Sequence, residues 1–172
     1  MIEIRKVLPQ DIEQLQAISR KTFGETFTDR NTVENMNKYL TEELSTEKLT
    51  NELNNPDSDF YFALLDHEVV GYLKLNSGKA QTDVKDNNSL EIERIYVSKE
   101  YHGRKVGQVL YDKALEVAKQ KGVDYIWLGV WEENLKAIGF YTKNGFVEFD
   151  RHLFKLGDDE QKDIMMKRAI YL

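Results

Sequence analysis

The run Tyr125-Ile-Trp-Leu-Gly-Val-Trp131 constrains this chain most: it is nearly all apolar and reads as a strand buried on both faces of a sheet. Its neighbours extend the reading. Ser89 to Val97 is predicted to be the preceding strand, and Val106 to Gln120 a helix with Val109, Leu110, Ala114, Leu115 and Val117 on its apolar face. Gly122 is a natural stop for that helix, and residues 134–144 are predicted helical, closing at Gly145. Strands alternating with helices and ending in a hairpin predict a mixed α/β sheet.

The rest of the chain fits around this unit. Ile2, Ile4 and Val7 mark a first strand, and Pro9 opens a helix whose apolar face is Ile12, Leu15, Ile18 and Phe23. Asn31 with Glu34 suggests a cap for a second helix bearing Met36, Tyr39, Leu40 and Leu44. A third helix is expected after Ser45 or Thr46, carrying Leu49 and Leu53 and ending before Pro56. Phe60 to Leu65 and Val69 to Leu75 form a hairpin about Asp66-His67-Glu68. The polar stretch Ser77 to Asn88 reads as a mobile loop. Phe146 to Leu156 and Ile164 to Ile170 read as antiparallel strands joined through Gly157-Asp158-Asp159. At 172 residues with 41% hydrophobic content, two prolines and no repeat, residues 1–172 are expected to form one domain.

Composition removes several kinds of chemistry. The net charge of −6 disfavours nucleic acid as a partner and suits a cationic substrate better. With no cysteine, disulfides, thiolate metal sites and cysteine nucleophiles are excluded. The three histidines, His67, His102 and His152, are far apart in sequence, so no metal is expected. His67 is expected to face solvent in its turn. His152 is expected as a surface or hydrogen-bonded strand histidine that could approach a substrate. The start Met-Ile-Glu-Ile-Arg-Lys does not resemble a signal peptide, and no apolar run reaches spanning length. A soluble, cytoplasmic protein without membrane contact is the expectation.

Candidate chemistry gathers in two blocks. His102, Gly103, Arg104, Lys105, Val106 and Gly107 lead into a helix, whose first amides, through Gln108, can converge on a diphosphate while Arg104 and Lys105 add positive charge. The spacing matches neither G-x-x-x-x-G-K-[ST] nor G-x-G-x-x-G. In the strand before it, alternation places Glu91, Glu93, Ile95 and Val97 on one face and Leu90, Ile92, Arg94 and Tyr96 on the other. A glutamate on an otherwise apolar face is partly desolvated, which raises its pKa and suits it to act as a base; the alternative is an ion pair with Arg94 or another cation. The second block runs from Trp127 to Phe146. Asn134 suits a helix cap, and Tyr141, two turns on, is either packing or a phenol able to protonate a leaving thiolate.

These blocks, taken in order along the whole chain, resemble the cofactor motifs of the GCN5-related N-acetyltransferases (GNAT). Within that superfamily, Leu-Glu-Ile-Glu-Arg-Ile-Tyr (90–96), Ile-Trp-Leu-Gly-Val-Trp-Glu (126–132), Ala-Ile-Gly-Phe-Tyr (137–141) and the acidic segment from Gly157 to Met166 resemble the bacterial PaiA-type spermine/spermidine acetyltransferases. The resemblance implies a sheet of about seven strands, splayed between the strand ending at Val97 and the strand ending at Trp131, with acetyl-CoA in the opening. It implies that Ile95, Tyr96 and Val97 meet the pantetheine arm and acetyl carbonyl, and that His102, Gly103, Arg104, Lys105, Val106, Gly107 and Gln108 hold the pyrophosphate. Asn134 and Ala137 would be further cofactor contacts, Glu93 the base, and Tyr141 the general acid beside the cofactor. The implied reaction is direct acetyl transfer to a primary amine of spermidine or spermine, with a homodimer left open. Acetylation of a protein lysine, an amino-terminus or another small amine, and a non-catalytic acyl-CoA-binding regulator, are the alternatives. Substrate selection would fall to acidic residues such as Glu25, Asp29, Glu42, Glu43, Glu132 and Glu133, with Trp131 or Tyr96 along the alkyl stem. The loop departs from the family pattern by carrying His102 first and Lys105 where a glycine is usual; if that position requires positive φ, lysine costs about 1 kcal/mol.

Overall fold

The apolar strand lies where its composition demands, inside the sheet. The computed structural model, which describes residues 1–157 and 159–170, places seven strands in one sheet. They are β1 (Ile2–Lys6), β2 (Ser58–Leu65), β3 (Glu68–Ser77), β4 (Ser89–Val97), β5 (Tyr125–Trp131), β6 (Val147–Leu156) and β7 (Asp159–Ala169), in the spatial order β1-β2-β3-β4-β5-β7-β6. Only β4 and β5 pair in parallel; the other neighbours are antiparallel. The helices among the described residues are α1 (Ile12–Phe27), α2 (Val33–Glu42), α3 (Thr46–Leu53), α4 (Val106–Lys121) and α5 (Leu135–Lys143).

Period-two alternation divides the buried residues between two layers. On one face, Leu73, Leu75, Leu90, Ile92, Ile126, Leu128 and Val130 pack with Leu110, Ala114 and Val117 of α4 and with Tyr141 of α5. On the other face, Leu15 and Ile18 of α1 pack on Phe60, Phe62, Leu64 and Tyr72. Phe23, Phe27, Met36, Leu44 and Leu49 gather around Trp131 at the end of β5. The β2–β3 hairpin turns on Asp66 and His67, both at positive φ (52° and 68°), which matches the twist of the strands it joins. His67 is exposed there, as expected.

Three local expectations are corrected. The cap of α2 is Thr32, whose hydroxyl accepts the Asn35 N–H at 3.1 Å. Asn31 instead donates its side-chain amide to the Phe27 carbonyl at 2.9 Å, closing the end of α1. The segment 77–88 is held rather than loose: buried Gln81 accepts hydrogen bonds from Trp127 (2.7 Å) and Ser89 (2.8 Å). A polar sequence gives no hint of this, because its Gln81 side chain serves residues of β4 and β5 rather than water. The last strand starts at Asp159, earlier than Ile164, because backbone pairing with β6 continues along the acidic stretch. Asp158, expected in the turn, lies outside the described residues.

Gly71 on β3 has no room for a side chain between β4 and α4. A Cβ there would sit 2.7 Å from the Tyr96 carbonyl oxygen and 3.3 Å from a methyl of Leu110. Since backbone cannot yield as a flexible side chain can, Gly71→Ala is expected to destabilise the protein by about 2 kcal/mol in urea denaturation, with a larger loss for Gly71→Val.

Candidate active site

The parallel ladder between β4 and β5 is short. It runs from Ser89↔Tyr125 to Ile92↔Leu128 and goes no further, so residues 93–97 and 129–131 diverge. The two strands are splayed at the position expected, and the opening is flanked by Glu93 on β4 and Gly129 on β5.

A β-bulge sits at this parting. In the β3–β4 register Lys74 faces Arg94 and Leu75 faces Ile92, leaving Glu93 without an opposite residue. The extra residue reverses the alternation beyond it. Ile95 and Val97 therefore join Leu90 and Ile92 on the α4 face, while Arg94 and Tyr96 join Glu91 and Glu93 on the other. The expected grouping of Glu91, Glu93, Ile95 and Val97 on one face is thus corrected by a single residue of register.

The bulge drives Glu93 into a cluster of charges. Its carboxylate meets Lys74 Nζ at 2.6 Å, Arg94 Nη2 at 3.1 Å and the Asn76 amide at 2.8 Å. Glu52 of α3 closes the cluster with a two-pronged contact to Arg94 (2.9 and 3.2 Å) and a 3.4 Å contact to Lys74. Burial alone would raise the Glu93 pKa, but Arg94 and Lys74 outweigh it and hold the carboxyl at about 2. The raised proton affinity expected for Glu93 is therefore reversed; the alternative of pairing with cations is what the structure contains. Glu91 behaves oppositely. It is 3% exposed, and burial pushes its pKa up despite hydrogen bonds donated by Thr82 and Asn76.

On the α1 side of the split lies a cavity of about 380 Å³. Phe23, Phe27, Tyr39, Tyr96 and Trp131 supply aromatic walls, and Asp83, Glu91, Glu93 and Asp163 supply carboxylates. Phe23 and Tyr39 stack with ring centroids 4.1 Å apart, and Phe27 packs on Trp131 at 5.2 Å. Trp131 and Tyr96 are among the residues lining the cavity. None of Glu25, Asp29, Glu42, Glu43, Glu132 and Glu133 is among its lining residues. Glu25 accepts the Lys99 N–H, Glu43 pairs with Lys48, and Glu132 lies 3.8 Å from Arg151. Sequence reasoning missed Asp83 and Asp163, the first inside a presumed mobile loop and the second just outside a presumed strand. His152 reaches the cavity rim, its Nδ1 bonded to Asp83 and its Nε2 to Asp150 at 2.9 Å; the Asp150 bond foremost raises its pKa.

The phosphate-loop residues converge at the start of α4. Gly103 has φ +81° and Lys105 φ +65°, so the position where lysine replaces the usual glycine is left-handed. No side chain caps α4, which leaves the first-turn amides of Val106, Gly107 and Gln108 for an anion, and Arg104 and Lys105 are exposed beside them. A diphosphate fits this helix start in charge and donor geometry. His102 is committed differently: its Nε2 lies 2.8 Å from the Val97 carbonyl, tying the loop to β4. Asn134 caps α5 by accepting the Ala137 N–H at 3.2 Å, so the expected contacts Asn134 and Ala137 are bonded to each other. Tyr141 is 7% exposed, packed against Phe140 and Phe146, and burial raises its pKa well above the usual phenol value.

Known proteins match this arrangement. Residues 14–146 match the model of the acetyltransferase (GNAT) family. An uncharacterized N-acetyltransferase of Lactobacillus delbrueckii subsp. lactis is 42% identical over 169 residues, 98% of each chain. A spermidine N(1)-acetyltransferase of Thermoplasma acidophilum is 30% identical over 171 residues, 97% of this chain and 96% of the relative. The crystal structure of the PaiA N-acetyltransferase from Thermoplasma acidophilum in complex with coenzyme A superposes with a TM-score of 0.80 at 29% identity, covering 98% of this chain and 99% of that one.

Two outcomes follow from the geometry. Lys105→Gly should stabilise the protein by about 1 kcal/mol in urea by relieving the left-handed lysine, while calorimetry shows weaker coenzyme A binding from the lost charge. Glu93→Gln should destabilise by about 3 kcal/mol near neutral pH, since it leaves Lys74 and Arg94 short of a counter-charge. Because the folded pKa of Glu93 lies below its ordinary value of 4.5, its contribution is present above that value and lost as pH falls toward 2. The wild-type and Glu93→Gln stabilities should therefore converge in acid.

Proposed function

This chain belongs to the GNAT acetyltransferase family, and on that premise we propose that it transfers the acetyl group of acetyl-CoA to a primary amine of a polyamine such as spermidine or spermine. The observation that carries the polyamine reading is the cavity beside the split, whose lining combines aromatic rings with the carboxylates of Asp83, Glu91, Glu93 and Asp163. A chain of ammonium groups separated by alkyl segments matches both surfaces at once: carboxylates take the charges, and Phe23, Phe27, Tyr39 and Trp131 take the methylenes. The 30% identical spermidine acetyltransferase supports the same reading.

Acetyl-CoA supplies the thioester, and this chain's residues hold and aim it. The α4 amides with Arg104 and Lys105 grip the diphosphate, and the open edge of β4 from Glu93 to Val97 takes the pantetheine arm. An alkyl ammonium has a pKa near ~10, so about one in a thousand is free base at neutral pH and the site has to accept a proton before attack. Glu93 serves as fixed negative charge at the mouth of the split. Tyr141, kept protonated by burial, holds the proton destined for the departing sulfur. A direct attack needs no covalent acyl-enzyme, in keeping with a chain that has no cysteine.

A panel of amines followed by coenzyme A release tests this. Spermidine and spermine should be turned over with the highest kcat/KM, ahead of lysine peptides, amino-terminal peptides and monoamines. Preference for any of the latter groups overturns the polyamine assignment. Tyr141→Phe should lower kcat about 100-fold with coenzyme A affinity unchanged.

A further inference from the structure

Two carboxylates flank the split, one on each side, and their surroundings differ. Glu93 is held by Lys74, Arg94 and Asn76. Asp163 of β7 lies on the other side. It pairs in register with Trp131 of β5 and His152 of β6, and its Oδ2 is 3.4 Å from the point where a Cβ on Gly129 would be. Gly129 is the first β5 residue beyond the last β4–β5 pair, so the absence of a side chain there lets the Asp163 carboxylate lean over the strand at the parting. Among the described residues no hydrogen bond holds that carboxylate, although it is partly buried and faces the cavity. We propose that Asp163, not Glu93, is the carboxylate that receives the ammonium of the incoming amine and takes its proton.

This inference rests on the amine-acetylation reading above and names the base that reading lacks. Burial pushes the Asp163 carboxyl up to about 6, with His152 pulling in the opposite direction. It is therefore ionised at neutral pH yet has far more proton affinity than Glu93. The other titratable or charged groups lining the same cavity include His152 from β6, Asp83 from the 77–88 segment, Glu91, Glu93 and Arg94 from β4, and Tyr39 from α2. Arg94 is bonded to Glu52 and Glu93, and His152 to Asp83 and Asp150, so neither cation is paired directly with Asp163.

The step balances without a further reactant. One N–H proton of R–NH₃⁺ passes to Asp163, and the freed lone pair forms the C–N bond at the acetyl carbon. As the tetrahedral adduct collapses, the C–S bond breaks and its electron pair stays on sulfur. Tyr141 gives that sulfur a proton and regains one from the nitrogen, now an amide. Asp163 releases its proton to water, and the products are amide, thiol and one proton.

Asp163→Asn tests the assignment, with kcat/KM measured from pH 5 to 9 for spermidine or whichever panel amine is turned over fastest. In the wild type, log kcat/KM should fall with unit slope below about pH 6, because the base must be ionised. Asp163→Asn should lose at least 100-fold at pH 7.5 and lose that slope, while coenzyme A affinity is unchanged. The neutral amide removes a charge whose ionisation burial disfavours, so the variant should unfold in urea at or above the wild-type midpoint. In His152→Gln the acid limb should persist and move upward, since a neighbouring cation is gone. Asp163→Asn activity within threefold of wild type, survival of its acid limb, or disappearance of the limb in Glu93→Gln instead would overturn the proposal. If polyamines are refused but another amine shows the Asp163 dependence, the polyamine assignment fails and the base stands. If no amine is turned over or binds the coenzyme A complex, both fall.

Discussion

Everything at this site depends on where β4 and β5 stop pairing. A parallel ladder ending at Ile92↔Leu128 leaves two strand ends diverging from a common root, with a gap between them. The bulge at Glu93 is the local cause. It twists β4 away from β5 and turns Arg94 and Tyr96 toward the α1 face. The cluster of Glu52, Lys74, Glu93 and Arg94 then fixes the displaced strand: two cations and two carboxylates, each within 3.4 Å of its partner, leave no buried charge uncompensated. Such a cluster contributes less to net stability than its contacts suggest, since each ion has lost water. What it supplies is position.

The sheet also separates two kinds of recognition. On the α4 side, backbone amides and exposed cations offer a site for phosphate, and the left-handed lysine aims the loop at some conformational cost. On the α1 side, rings and carboxylates line the cavity.

Most elements could be read from the chain because their signals are local. Ser89–Val97 and Tyr125–Trp131 follow from apolar content and flanking turns, Gly122 from its place after an amphipathic helix, and Asn134 from cap chemistry. The site was legible in its phosphate loop and in the identity of the parting strands. It was not legible where register decides. A bulge leaves no mark in a pattern of alternation, so the alternation puts Ile95 and Val97 on the wrong face and leaves open whether Glu93 is desolvated or paired with a cation. Lys74, which together with Arg94 holds down the proton affinity of Glu93, lies on a different strand, and the pairing of β3 with β4 brings it near. Asp163 was hidden for a related reason: its acidic neighbours resemble a turn, whereas backbone pairing with β6 makes the stretch part of β7.

Two carboxylates with one strand between them thus differ in proton affinity, lowered to about 2 for Glu93 and raised to about 6 for Asp163. The difference does not come from burial, which acts on both in the same direction. It comes from who answers each charge. Lys74, Arg94 and Asn76 answer Glu93 from within the protein, and a carboxylate so answered holds its charge. Among the described residues, the charge that acts on Asp163 is that of His152, and that ring is already engaged by Asp83 and Asp150. An arriving ammonium would complete for Asp163 what the lysine and arginine complete for Glu93. A cleft meant to deprotonate a cation needs one such incomplete site, because a base satisfied before the substrate arrives has no reason to take its proton.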